Sequence, residues 1–474
     1  MATRKPPAQP LVVIFGSTGT GKSDLAVDIA TRFNGEIINS DAMQMYKGLP
    51  IITNKISEEE RKGIAHHLLG NIGLEDETWV VGVFRREAAR LIREIRSRGK
   101  LPIVVGGTHY YINGLLFENT LVDDHGTPSD DIPKQAEDGR SSFPILNAST
   151  EEVLRKLREV DPVMADRWHP NDRRKIQRSL EIYLTTGRRA SDIYEEQRKR
   201  AEEATASSTE TQSQTLSQAL MLWVYAKTPA LNERLNSRVD KMLDSGLMAE
   251  VSEMHQYLQT KSASGHVVDR SKGIWQSIGF KEFEPYLTAA SGDIASAELD
   301  NLKEAALIRM KTATRQYAKA QVRWITYKTL PLIRQAQALD RLFLLDSTKI
   351  QRWQEYVSDQ GIELTWKFLA GEELPAPASL SGTAREVLSA KLEDSTKEET
   401  WSRRTCEICS TTTVTEEAWQ RHVKGRGHQR AARHAKRTAL VPEPRPTALT
   451  VVSEDMPSSP EYNLGLDFDP DDNR

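Results

Sequence analysis

Two short apolar runs, LVVIF at residues 11–15 and LPIVVGG at 101–107, carry β-branched and aromatic residues with little polar alternation, the pattern of strands covered on both faces. Between them, DLAVDIATRF (24–33) and VFRREAARLIREIRSRG (83–99) space apolar residues at helical intervals, and Gly99 stops the second. Strand, helix and strand in alternation predict an α/β fold on a parallel sheet. Near residue 121 the pattern breaks. VDDHGTPSDDIPKQAEDGRSS (122–142) is polar and bears Gly and Pro, as mobile loops do, and EEVLRKLREVDPVMADRW then opens a helical stretch that a second polar run at 195–218 closes. The core pattern resumes at LMLWVYA (220–226). Two long helices follow, one starting at Thr228 with Pro229 in its first helical position, one over about 301–327. Past LFLLD (342–346) the periodicity thins.

These changes divide the chain into a core with a first part at 1–120, a helical insertion at 121–220, a second core part at 221–346 and a linker at 347–400. Charge separates what remains. Net charge is only −3 over 474 residues, yet 401–437 hold nine Lys/Arg against three Glu, and 441–474 hold eight Asp/Glu against two Arg. A basic module at 401–437 is therefore followed by an acidic, disordered tail at 438–474. No apolar run approaches the roughly 20 residues that cross a bilayer, so no membrane partner is expected. The segment MATRKPPAQP lacks the apolar stretch of a secretory signal. Its basic, acid-free character leaves a mitochondrial address open. With only Cys406 and Cys409 in the chain, a disulfide framework is excluded and a reducing compartment expected. The cytosol fits best, with mitochondrion or nucleus as further addresses.

Between the first strand and the first helix lies GSTGTGKS: Gly16, Ser17, Thr18, Gly19, Thr20, Gly21, Lys22 and Ser23. It fits G-x-x-x-x-G-K-[ST] in the strand–loop–helix context that the motif requires. Glycines let backbone N–H groups close on phosphate oxygens, the helix N-terminus adds its positive dipole end, Lys22 brings a point charge, and Ser23 can reach Mg²⁺. The motif selects a di- or triphosphate and leaves open which. NSDAMQMYKGLPIITNK (39–55) falls where a second strand of such a fold ends, which puts Asp41 near the phosphate site. A lone Asp there is as often a helix cap. GGTHYY (106–111) brings backbone close to a ligand through two glycines and aims the Thr108 hydroxyl at it.

GSTGTGKS, SDAMQMYKGLPIITNK, the His66-His67-Leu68-Leu69 run, GGTHYYINGLL, DRRKIQRSLEIYLTTGR, RVDKMLDSGLMAEV, QSIGFKE and ATRQYAKAQVRWI occur in the order seen in the tRNA dimethylallyltransferase family, which the chain resembles over about residues 10–330. The resemblance implies a P-loop NTPase-like core whose loop holds dimethylallyl diphosphate with Mg²⁺, while ATP is no substrate. It implies transfer of the dimethylallyl group to N6 of adenosine 37 beside the tRNA anticodon, so the anticodon stem-loop is the expected partner. Asp41 matches the family's general base, Arg238 its diphosphate-binding arginine, and Thr20 and Thr108 positions near the reacting groups. Asp41, Ala42, Met43 and Gln44 form the segment expected at the target adenine. Arg174, Lys175, Ile176, Gln177 and Arg178 match a tRNA-contacting strip. Ser17 stands where the family often has Pro, which alters loop stiffness and leaves the phosphate-binding atoms in place.

Charge stripes agree with an RNA-facing surface. Arg234, Arg238 and Lys241 share one helix face, and Lys311, Arg315 and Lys319 share another. Arg315 and Lys319 are taken as RNA contacts. At the C-terminus, Cys406-x₂-Cys409-x₁₂-His422-x₅-His428 has zinc-finger spacing, with Trp419 available to pack under a structural Zn²⁺. The dense Arg/Lys content resembles RNA-binding C2H2 fingers, which eukaryotic members of the family commonly carry. A monomer is expected. The rival readings are a P-loop small-molecule kinase, an enzyme prenylating free adenine nucleotides, and a non-enzymatic RNA-binding protein.

Overall fold

The computed structural model describes residues 5–117, 143–196, 199, 214–290, 292, 294–394 and 401–439. Six strands, β1 (Leu11–Phe15), β2 (Gly35–Asn39), β3 (His66–His67), β4 (Leu101–Gly106), β5 (Ala219–Tyr225) and β6 (Leu342–Asp346), form one sheet. Their order is β3-β2-β4-β1-β5-β6, with every pairing parallel. Parallel strands need crossovers, and helices Lys22–Arg32 and Val81–Ser97 supply two of them. Successive residues of β1 alternate between two apolar cores. Leu11, Val13 and Phe15 join one with Trp223, Phe84 and Ile112, while Val12 and Ile14 join the other with Leu25, Ile29 and Phe343. The sheet is thus covered on both faces, which is why its strands read as unbroken apolar runs.

The insertion has its own small core. Helices Thr150–Val160, Pro162–Arg167 and Arg173–Thr186 enclose Val153, Leu157, Met164 and Leu180. Ser149 and Glu152 make a reciprocal capping box at the first of these, and Gly187, at φ 67°, ends the last. The two long helices expected after β5 span Thr228–Asp244 and Ser296–Trp324. The N-cap of the first is Lys227, with no side-chain hydrogen bond, so Thr228 lies inside the helix and does not cap it.

Residues 347–394 are not a linker. Helices Asp359–Ala370 and Gly382–Asp394 pack on opposite faces of the sheet. Val357, Leu364 and Phe368 enter the core that holds Leu345, while Ala384, Val387 and Leu388 enter the one that holds Leu342 and Leu344. Edge strand β6 needs cover on both faces, and this segment provides it; the apolar positions are too widely spaced to reveal a helix by periodicity alone. Contacts group residues 1–400 as one unit and 401–474 as a second. In the second, β7 (Trp401–Thr405) and β8 (Thr412–Thr415) pair antiparallel ahead of helices Glu416–Lys424 and Arg426–Ala439. The polar loop expected at 122–142 and the tail from 440 onward lie outside the described residues. Among the described residues no helix is long and apolar enough to cross a membrane.

Candidate active site

The C-terminal ends of β1, β2 and β4 lie side by side, since Phe15 is in register with Gly106 and Asn39 with Val105. In open α/β sheets this edge, where the strand order reverses, is where ligands bind. The loop after β1 is a P-loop in conformation as well as sequence. Gly19 and Gly21 adopt φ of 79° and 87°, and a β-carbon on Gly21 would lie 2.5 Å from the Trp353 ring, so neither position tolerates a side chain. The Thr20 hydroxyl, fully buried, donates to the Ser17 carbonyl at 2.9 Å, and Lys22 Nζ donates to the same carbonyl at 2.7 Å. Helix Lys22–Arg32 starts at once, pointing its N-terminal dipole into the loop. Ser23 sits in its first turn, half-buried.

Asp41 follows β2. Asn39 fixes its backbone, accepting from the Asp41 N–H at 3.1 Å and donating to the Asp41 carbonyl at 3.0 Å. One carboxylate oxygen accepts from the Met43 N–H at 3.1 Å, an Asx-type turn that aims the side chain. The Thr108 hydroxyl, after β4, accepts from the Ala42 N–H at 3.0 Å and ties the two loops together. Gln44 donates to the Asn54 carbonyl at 3.1 Å.

Arg238 donates to the Thr18 hydroxyl at 3.0 Å, and its Nε is buried with no partner among the described residues. Arg234 donates to the carbonyls of Gly19 at 3.0 Å and Ser347 at 2.8 Å. The stripe expected to face RNA on helix Thr228–Asp244 therefore turns Arg234 and Arg238 toward the P-loop, and only Lys241 of the three is exposed. Helical spacing puts the charges on one face without saying which face is inward. On helix Ser296–Trp324, Lys311 pairs with Asp240 at 2.6 Å and Arg315 donates to Thr312 at 3.0 Å, while Lys319 is exposed.

Electrostatics bind these groups into one site. Burial pushes the Asp41 carboxyl above the usual carboxylate range, against the pull of Lys22, the Met43 and Gln44 N–H groups and Arg238. Burial lowers Lys22 to about 8, with Asp41 opposing the shift and Arg238 adding to it. Burial likewise lowers Arg238 to about 10, again opposed by Asp41. A carboxylate raised above its ordinary range beside two cations suits proton transfer next to anion binding. His109, beside Thr108, is buried with neither ring nitrogen partnered among the described residues; burial, then Lys22, lowers it to about 3 and keeps it neutral.

The insertion strip is split by its helix. Arg174, Lys175 and Arg178 are exposed, whereas Ile176 is 0% exposed in the insertion core and offers no side chain to a ligand. Gln177 is half-buried. Lys175 pairs with Asp172 at 2.7 Å and Arg178 with Glu181 at 2.9 Å. Arg173 is internal, donating to Thr150 and the Leu146 carbonyl. Arg174 lies close enough to act on the Tyr111 hydroxyl of the core.

In the second unit, ligand atoms of Cys406, Cys409, His422 and His428 all lie within 4.8 Å of one another, so this cluster could hold a zinc ion. The Trp419 ring centroid lies 5.9 Å from that of His422, and the Arg404 guanidinium lies 5.7 Å from the Trp419 centroid.

Sequence reasoning missed Asn39 and Gln321, and it read Arg234 as facing RNA where the structure turns it to the P-loop. Gln321 is 4% exposed. It accepts from the Thr18 N–H at 2.8 Å and donates to the Gly107 carbonyl at 3.0 Å. Its signal was present, for it continues the buried row Ala306, Met310, Thr314, Ala318 along its helix, a polar residue at a core position.

A P-loop α/β core with a carboxylate beside its loop suits an enzyme that handles phosphate esters. A family model described as IPP transferase matches residues 44–328, and the chain belongs to that family of prenyl transferases. The chain is 37% identical to the tRNA dimethylallyltransferase of Schizosaccharomyces pombe, covering 91% of this chain and 96% of that protein. To the human tRNA dimethylallyltransferase it is 34% identical, covering 88% and 85%. A crystal structure of a eukaryotic dimethylallyltransferase acting on tRNA superposes with a TM-score of 0.70 at 33% identity, covering 91% of this chain and 98% of that one.

Proposed function

We propose that this enzyme transfers a dimethylallyl group from dimethylallyl diphosphate to N6 of adenosine 37 in tRNA. The observation that carries the reading is the half-buried Asp41 carboxylate, raised above its ordinary range near Lys22 of the P-loop and Arg238 of the helix that packs on that loop. The adenine amine is a weak nucleophile. As its nitrogen bonds to the allylic carbon, the carbon–oxygen bond to diphosphate breaks and the electron pair leaves with the diphosphate. Asp41 takes the amine proton, and a carboxylate raised above its ordinary range is the stronger base for it. The P-loop amides, Lys22 and Arg238 stabilise the charge of the leaving diphosphate, and the unpartnered Arg238 Nε is one donor available for it. Thr20 braces the loop and Thr108 holds the Asp41 segment. The Ser23 hydroxyl, a hard oxygen donor at the loop's exit, suits Mg²⁺, which would neutralise diphosphate oxygens when bound.

The adenine has to leave its stack for its amine to reach the half-buried Asp41 carboxylate. The segment from Asp41 to Gln44 lines its path, while Arg174, Lys175, Arg178 and Lys319 supply exposed charge for the phosphate backbone, with Arg315 beside them. Four soft or imidazole ligands at tetrahedral reach fit structural Zn²⁺ in the finger, which adds basic surface for tRNA. We further read the protein as a monomer of the cytosol.

Competition binding separates this reading from a nucleotide kinase. Dimethylallyl diphosphate and inorganic diphosphate should displace one another from the protein with Mg²⁺ present, while ATP at equal concentration displaces neither. Displacement by ATP that depends on Lys22 would overturn the reading.

A further inference from the structure

Gln321 joins two loops through its side-chain amide. Its Oε1 accepts from the Thr18 N–H of the P-loop, and its Nε2 donates to the Gly107 carbonyl next to Thr108. Both ends are satisfied inside the protein, and the amide is almost wholly buried. From Gly107 the connection continues to the Asp41 segment, because Thr108 Oγ1 accepts from Ala42 N–H and the Thr108 N–H donates to the Ser40 carbonyl at 3.3 Å. A β-carbon on Gly107 would lie 2.5 Å from Gln321 Nε2 and 3.4 Å from Asp41 Oδ2. The amide and the carboxylate therefore both reach residue 107, where a β-carbon would crowd the amide and meet the carboxylate at ordinary contact distance. On the other side, Arg238 holds the Thr18 hydroxyl while Gln321 holds the Thr18 N–H.

We infer that Gln321 is a positioning residue that sets the distance between the diphosphate-binding loop and the Asp41 carboxylate, so that donor and acceptor meet in line. This rests on the prenyl-transfer reading above. Only an amide serves, since one end has to accept and the other to donate. A carboxylate at 321 would face the Gly107 carbonyl with a second acceptor and bring a negative charge next to Asp41. A thioether of similar length would leave both the Thr18 N–H and the Gly107 carbonyl unpaired. In either case the loops separate by a fraction of an ångström, enough to matter for a reaction that depends on near-attack geometry.

The test compares wild type with Gln321→Met and Gln321→Glu in single-turnover prenylation of unmodified tRNA, with thermal unfolding and the affinities for tRNA and inorganic diphosphate measured alongside. Both variants should fold and bind both ligands within about threefold of wild type, yet transfer about 100-fold more slowly, the scale of a small misplacement at the reacting centre. A Gln321→Met rate within about threefold of wild type would overturn the inference. So would a loss of rate that tracks loss of the folding transition in both variants, which would make Gln321 a plain core residue. If wild type itself prenylates no tRNA, the reading beneath fails, and the inference falls with it.

Discussion

Asp41 and Lys22 shift each other's titration, so the pH dependence of the reaction reports on both. Asp41 sits above its ordinary range because it is buried. The single-turnover rate should therefore fall as pH drops through that raised value, the base being lost on protonation. Lys22, at about 8 in the free enzyme, loses its charge above that pH. As a result kcat/KM for dimethylallyl diphosphate should decline above about pH 8, while kcat, measured with the anion bound and favouring the protonated amine, holds to higher pH. Asp41→Asn keeps the shape and removes the base, and should slow single-turnover transfer by about 10²–10⁴-fold with little change in tRNA affinity. Glu36 behaves differently, lying at the start of β2, the end of the strand remote from Asp41. Burial alone would raise it, but hydrogen bonds from Arg98, His67 and Lys100 hold it at about 2. Its contribution to stability is complete above its ordinary value of 4.5 and is lost as pH falls through the folded value near 2. Glu36→Gln leaves those solvent-accessible cations facing a neutral group and should cost about 1 kcal/mol in urea unfolding, with transfer activity per folded molecule unchanged.

At the scale of elements, β1, β4 and the P-loop between β1 and its helix were legible because apolar run, glycine motif and helical spacing agree there. β2 was harder to read. It begins with Gly35 and Glu36, and only tertiary ion pairs allow that carboxylate into a strand. β3 is just two histidines, too short for any periodicity. Arg234 and Arg238 were correctly placed on one face, but the direction of that face depends on packing with the P-loop and β6, which helical spacing does not encode. Gln321 was visible only as a polar residue in an apolar row. The segment at 347–394 gave the largest difference: its buried residues serve two cores on opposite faces, so no single amphipathic stripe announces it. Leu388→Ala tests its membership. It should cost about 2–5 kcal/mol, the range for truncating a buried leucine, and lower the thermal midpoint of the whole first unit. A linker residue would leave that midpoint where it was.

For the whole molecule, the proposed chemistry and the proposed grip on tRNA fall in different units. The groups proposed to be catalytic all belong to residues 1–400, and the Cys/His cluster belongs to 401–474. If the cluster holds structural zinc, Cys409→Ser or chelation should unfold the finger and raise KM for tRNA about tenfold, while the single-turnover rate at saturating tRNA stays within about twofold. A matching fall in that rate would mean that the finger takes part in the chemistry. The most direct measurement combines the purified enzyme, dimethylallyl diphosphate, Mg²⁺ and unmodified tRNA, followed by digestion and mass spectrometry for N6-dimethylallyladenosine, with Asp41→Ala in parallel. Product at adenosine 37 from wild type and almost none from the variant is the expected result. Equal product from both would remove Asp41 as the base, and phosphate transfer from ATP without any prenylated tRNA would contradict the assignment of the P-loop to a prenyl diphosphate.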